Sequence, residues 1–213
     1  MDWSSILLCS NSVMLVSAML TFLGLSFFAA PYGKYSTEKG FGPLLPAQIS
    51  WAVMESPNLW ISLLVWYYRG DMGPNTVFDQ SINKVAMFCF LLHYSNRSII
   101  YPLRMSSSKA TPMPLSVMLA AFVFCSWNGF NQAVSLIVEG NEVIANSSIT
   151  DWRCLAGMSL FFFGFCVNVT SDNILINSKK KAEKKLTDSK YVIPEGGMFK
   201  FVSCANYCKL ELE

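Results

Sequence analysis

Charge is scarce in this chain. Charged residues make up 14% of its 213 positions, against roughly 25% in soluble domains. The net charge is only +2, and the basic residues are clustered rather than spread, so nucleic acid is not an expected partner. Histidine occurs once, at His93, and the seven cysteines include no CxxC pair. Cys204 and Cys208 form a C-x3-C far in sequence from that histidine, so no metal site is expected. The scattered cysteines read as small buried side chains. Neither GxGxxG nor a P-loop occurs, which removes both signatures of a soluble nucleotide-binding fold.

What fills the chain is apolar surface, at 53% of residues. It falls into five runs, 6–30, 47–68, 84–101, 115–138 and 152–176, of a length that crosses a bilayer as helix. The first run exceeds a signal core and has no basic residue before it, so it reads as a retained span. The expected fold is all-α, a multi-span integral membrane helical bundle of about five spans. Residues 1–176 hold the spans, and 177–213 form a cytosolic segment that opens with a lysine-rich stretch. Pro46 suits a helix start, and Pro57 is expected to kink the second span. No internal repeat is visible.

Basic residues orient the bundle. Lys34 and Lys39, then Arg97, Arg104 and Lys109, then the lysine-rich tail mark loops one and three and the C-terminal segment as cytosolic. The N-terminus is then lumenal, and Asn146 in NSS becomes a lumenal glycosylation acceptor.

Polar residues inside the spans carry the candidate chemistry, because each is costly in lipid and must face protein or a wet cavity. Glu55 lies near the middle of the second span. Desolvation favours its neutral acid, a hydrogen-bond donor. It serves either in that role or as a buried partner for a cation such as Arg97. Tyr94, Arg97 and Tyr101 share nearly one helix face. A phenol beside a carboxylic acid can hold a carbonyl oxygen and stabilise charge that develops on it. The alternative is interfacial anchoring by aromatic and basic side chains. Asn128, Asn131, Gln132 and Ser135 recur at helical spacing, either as glue between helices or as a polar lining. Asn168, Ser171 and Asp172 share a face of the fifth span, with the same two readings. The lysines from Lys179 to Lys185 read as a topology signal or anionic-lipid contact, or supply one cation to a cofactor phosphate.

Six stretches resemble the steroid 5α-reductase family (3-oxo-5α-steroid 4-dehydrogenases). They are PYGKYS at 31–36, LPAQISWAVMESP at 45–57, LLHYSNRSIIYPL at 91–103, FCSWNGFNQ at 124–132, NVTSDNIL at 168–175 and YVIPEGGMFKFVSCANY at 191–207. The resemblance implies a multi-pass endoplasmic reticulum protein, with seven helices in the family. It implies NADPH as cofactor, a steroid or other lipid enone as substrate, hydride transfer to C5 of a Δ4-3-ketosteroid and protonation at C4. It puts Glu55 and Tyr94 at the steroid C3 carbonyl, and Asn168, Asp172, Tyr191 and Asn206 at the cofactor, with Tyr32 and Lys179 as further contributors. Related branches reduce polyprenols or enoyl thioesters, and a catalytically inactive sterol-binding or partner homologue is the other alternative. The chain departs from the family pattern at Met54 (usually Gln), Asn173 (usually Tyr) and Lys179 (usually Arg). It is expected to be C-terminally truncated relative to the family, since CKLELE follows Tyr207 where the family continues into two more helices.

Overall fold

A computed structural model of the protein describes residues 3–27, 42–69, 81–105, 110–139, 148–184 and 194–202. The regular structure of the described residues is helical apart from one pair of two-residue strands. Helix α1 spans Trp3–Phe27. Strand β1, Leu44–Leu45, pairs antiparallel with β2, Met113–Pro114. That pairing ties the entry to α2, Ala47–Glu55, to the entry of α6, Leu115–Val134. Both helices start directly after a proline, Pro46 and Pro114.

The second expected span is two helices, α2 and α3, the latter running Pro57–Tyr67. Proline has no N–H to continue the ladder, so the carbonyl of Val53 loses its helical donor. The Ser56 hydroxyl supplies one instead, at 2.9 Å. The break leaves Glu55 as the last residue of α2. The third span is also composite. It joins α4, Ser81–Ser95, a π-helical turn at Asn96–Ile100 and α5, Tyr101–Arg104. Such turns insert an extra residue and re-aim the side chains around them. Another π-turn, Ser135–Glu139, closes the end of α6.

Among the described residues, three helices are individually long and apolar enough to cross a membrane: Trp3–Phe27, Leu115–Val138 and Trp152–Lys181. The last belongs to α7, Trp152–Lys184. This helix runs on past 176 into the lysine-rich stretch, since Lys, Ala and Glu are good helix formers. Its buried residues form a mostly polar stripe, Asn168, Ser171, Asp172 and Ile176, while Phe162 and Phe163 are exposed. That inverts the order of a soluble helix and suits a lipid-facing one.

Helix α6 is the central post. Its first turns pack Met118 among Ala47, Trp51, Met54 and Met113. Its end packs Ala133 and Val134 among Leu7, Val65 and Met87. A polar layer lies between these two apolar zones. Gly129 allows α6 to meet the start of α3. A Cβ there would stand 3.0 Å from Asn58 Cα and 3.2 Å from the Pro57 carbonyl oxygen. Gly129→Ala is therefore expected to cost about 1–3 kcal/mol by overpacking. The check is the midpoint of denaturant unfolding in detergent, and an unchanged midpoint would show that α3 yields without cost.

Candidate functional site

The polar layer is assembled from five elements around α6: α2, α3, α4, the π-turn after it and α7. Glu55, at the end of α2, accepts the Cys125 S–H at Oε2 across 3.7 Å. Its Oε1 lies 3.8 Å from Arg97 Nε. Arg97 leaves the π-turn and donates through Nη1 to Asp172 Oδ2 on α7, at 3.2 Å. Arg97, Glu55 and Asp172 have side chains only 6%, 14% and 3% exposed. One guanidinium thus bridges two shielded carboxylates from two other helices. Trp51 and Tyr101 enclose it, with ring centres 4.6 and 5.0 Å from its central carbon. Those faces add cation–π attraction to the ion pairs.

Tyr94 reaches the same side of α6 three residues further on. Asn128 donates through Nδ2 to the Tyr94 hydroxyl at 3.1 Å and to Asn58 Oδ1 at 2.9 Å. Asn58, fully buried, donates in turn to the Glu55 carbonyl at 3.4 Å. Cys125 and Asn128 are three apart and share a helix face, so Glu55 and Tyr94 converge on that face. The amide stripe of α6 divides between both roles open to it. Asn128 joins the site. Asn131 binds α1, donating to Asn11 Oδ1 at 3.1 Å and accepting from Ser10 at 2.7 Å. Trp127 adds a 2.6 Å bond to the Ser10 hydroxyl.

Asn168 and Asp172 lie on the buried stripe of α7, 3% and 2% exposed. Two turns further, half-buried Lys179 lines a cleft with Tyr101, Met105, Ala110, Leu175 and Ile176. The Gly196–Gly197 turn has positive φ at both residues, and a Cβ on Gly197 would come within 2.8 Å of Ile174 Cδ1. The segment after α7 therefore folds back onto that helix beside the stripe. Tyr32, Tyr191 and Asn206 lie outside the described residues, as do Asn146 and the Cys204–Cys208 pair.

Asn58, Cys125 and Trp51 belong to the site without having stood out in the sequence as site residues. For Asn58 there was a signal: an amide directly after Pro57, three positions beyond a carboxylate in an apolar run. Cys125 and Trp51 look like any buried side chains, and only packing brings them to Glu55 and Arg97.

The family profile described as 3-oxo-5-alpha-steroid 4-dehydrogenase matches residues 111–212. The chain is 35% identical over 194 residues to the steroid 5-alpha-reductase DET2 of Gossypium hirsutum, covering 90% of this chain and 70% of that protein. It is 36% identical over 184 residues to the 3-oxo-5-alpha-steroid 4-dehydrogenase 1 of Bos taurus, covering 86% and 66%. The human protein of the same name is 36% identical over 163 residues, covering 76% and 58%. The chain thus spans roughly two thirds of the length of such relatives.

Proposed function

Because the chain belongs to the 3-oxo-5-alpha-steroid 4-dehydrogenase family, we propose that it reduces the Δ4 double bond of 3-oxo-steroids with NADPH. The observation that carries this reading is the convergence of Glu55 and Tyr94 on the Cys125–Asn128 face of α6. A phenol and a carboxylic acid there grip the C3 carbonyl oxygen of the enone. As the double bond accepts hydride at C5, negative charge moves through C4 onto that oxygen, and the two donors stabilise it more than they stabilise the ground state. C4 then takes a proton that derives from solvent, giving the saturated 5α-3-oxo product.

In this reading Glu55 acts as the neutral acid: Asp172 is the closer partner of the Arg97 guanidinium, and a proton held on the Glu55 carboxyl provides the O–H that the carbonyl needs.

The donor set fits a nicotinamide dinucleotide. Asn168, Ser171 and Asp172 form a buried polar stripe, and beside them the Asn173 side-chain oxygen is buried without a hydrogen-bond partner among the described residues. Amides and carboxylates suit ribose hydroxyls, and Lys179 suits a phosphate as a point charge. Tyr191, Asn206 and Tyr32 complete the proposed set. Bound NADPH supplies the hydride. The chain's residues hold the cofactor, orient the enone and exclude water from a site walled in part by Trp51 and Tyr101. The proposed setting is the endoplasmic reticulum membrane, with the N-terminus lumenal and the lysine-rich segment cytosolic.

The test is membranes carrying this chain, incubated with a Δ4-3-ketosteroid and NADPH, with the products separated by chromatography. A 5α-reduced 3-ketosteroid that depends on NADPH is expected. Absence of that product in membranes that contain the folded chain would overturn the reading, and reduction of a different lipid enone instead would overturn its steroid assignment.

A further inference from the structure

We propose that Asn128, itself oriented by Asn58, is a positioning residue that fixes Tyr94 as a hydrogen-bond donor toward the substrate. This rests on the carbonyl-gripping role of Tyr94 given above. A tyrosine hydroxyl can donate one hydrogen bond and accept two, so its neighbours decide which way its proton points. Here the direction can be traced link by link to a backbone group.

The break before Pro57 ends α2 at Glu55, and the next backbone N–H able to reach back, that of Leu59, bonds Ser56 at 2.9 Å instead of continuing the ladder to Glu55. The Glu55 carbonyl, which can only accept, receives the Asn58 amide at 3.4 Å. That sets the amide's NH2 end toward α2 and its oxygen toward α6. The oxygen in turn requires a donor, so Asn128 presents its own NH2 group at 2.9 Å. The second hydrogen of that same group points at the Tyr94 oxygen, 3.1 Å away. Tyr94 therefore accepts from Asn128, and its single proton is directed away from α6. Reversing any amide in this chain would set two donors or two acceptors against each other. Gly129 lets the chain close, because any side chain there would hold Asn58 off α6.

The consequence is chemical rather than merely architectural. A donor-type neighbour such as Asn128 occupies the acceptor side of the phenol and directs its proton away from α6. An acceptor in its place would capture that proton. Asn128→Asp keeps the shape and reverses the polarity. Asn128→Leu keeps approximate volume and removes polarity, and serves if the buried aspartate impairs folding. Both are expected to lower kcat for a Δ4-3-ketosteroid by about tenfold or more, with a smaller change in KM, as when one donor to a developing oxyanion is lost or misdirected. In a Tyr94→Phe background the same substitutions are expected to change kcat by less than about twofold, because residues acting through one group are not additive.

A readout independent of turnover is the tyrosine ring doublet in the Raman spectrum of the purified chain. The difference between the wild type and Tyr94→Phe isolates Tyr94. The wild type is expected to show the hydrogen-bond-accepting pattern, shifting to the donating pattern in Asn128→Asp. A donating pattern in the wild type would overturn the proposal. So would full additivity of the Asn128 and Tyr94 effects on kcat. If the wild type turns over no steroid, the proposed function fails, while the doublet still decides the polarity of Tyr94.

Discussion

Glu55→Gln and Tyr94→Phe are each expected to lower kcat for a Δ4-3-ketosteroid by roughly 10²–10³-fold, the usual effect of losing one preorganised donor to an oxyanion. The two changes remove different things. Tyr94→Phe deletes a hydroxyl and leaves Asn128 with one donor to spare, while the ring packing against Phe90 and His93 remains. Glu55→Gln keeps an N–H donor and nearly the same volume, but gives Arg97 a neutral amide in place of a carboxyl group. Substrate affinity should fall less than kcat in both, since the oxygen becomes strongly basic only as hydride arrives. Steady-state kinetics in detergent or native membranes checks this. Turnover unchanged in both variants would remove the donor pair from the reaction.

Arg97→Met is expected to cost the fold about 3–5 kcal/mol, the range for breaking a buried ion pair by taking away one partner. The reason is specific to this layer. Arg97 is 5% exposed and links α2 to α7 through Glu55 and Asp172. Without it, the Asp172 carboxylate loses the guanidinium it faces in a shielded region, and the Glu55 carboxyl loses its neighbour. Arg97→Lys should do better but not restore the wild type, because one ammonium cannot reproduce the planar fork or its seat against Trp51 and Tyr101. Pairing Arg97→Met with Asp172→Asn should recover part of the loss, since it removes the uncompensated charge. The denaturation midpoint in mild detergent reads all three. A wild-type midpoint for Arg97→Met would contradict the bridging role.

Much of this arrangement was legible in the amino-acid sequence. The apolar runs announce membrane helices by length alone, and Pro57 announces the break that sets Glu55 at a helix end. The spacing of Asn168 and Asp172 announces one face, and that face is the buried one. Other parts were not legible, for physical reasons. Helix glue and a polar site make the same demand on a helix, amides at intervals of three or four, so the stripe on α6 did not reveal that Asn128 and Asn131 serve different neighbours. The π-turn at Asn96–Ile100 arises from how the third span packs, and no local residue signals it. The continuation of α7 through the lysines follows from helix propensity, which a reading based on hydropathy ends too early. Glu55 had two roles open to it, donor and cation partner. The fold sets Arg97 beside it without removing the first, because Asp172 takes the closer share of that cation.

The central claim is that Glu55 and Tyr94 hold the C3 carbonyl of an enone. Isotope-edited infrared spectroscopy of a Δ4-3-ketosteroid carrying ¹³C at C3, bound to the chain, measures it directly and needs no turnover. Two donors should shift the bound carbonyl stretch to lower frequency than in apolar solvent, and Tyr94→Phe and Glu55→Gln should each reverse part of that shift. A bound steroid whose carbonyl frequency is the same in the wild type and in both variants would contradict the account.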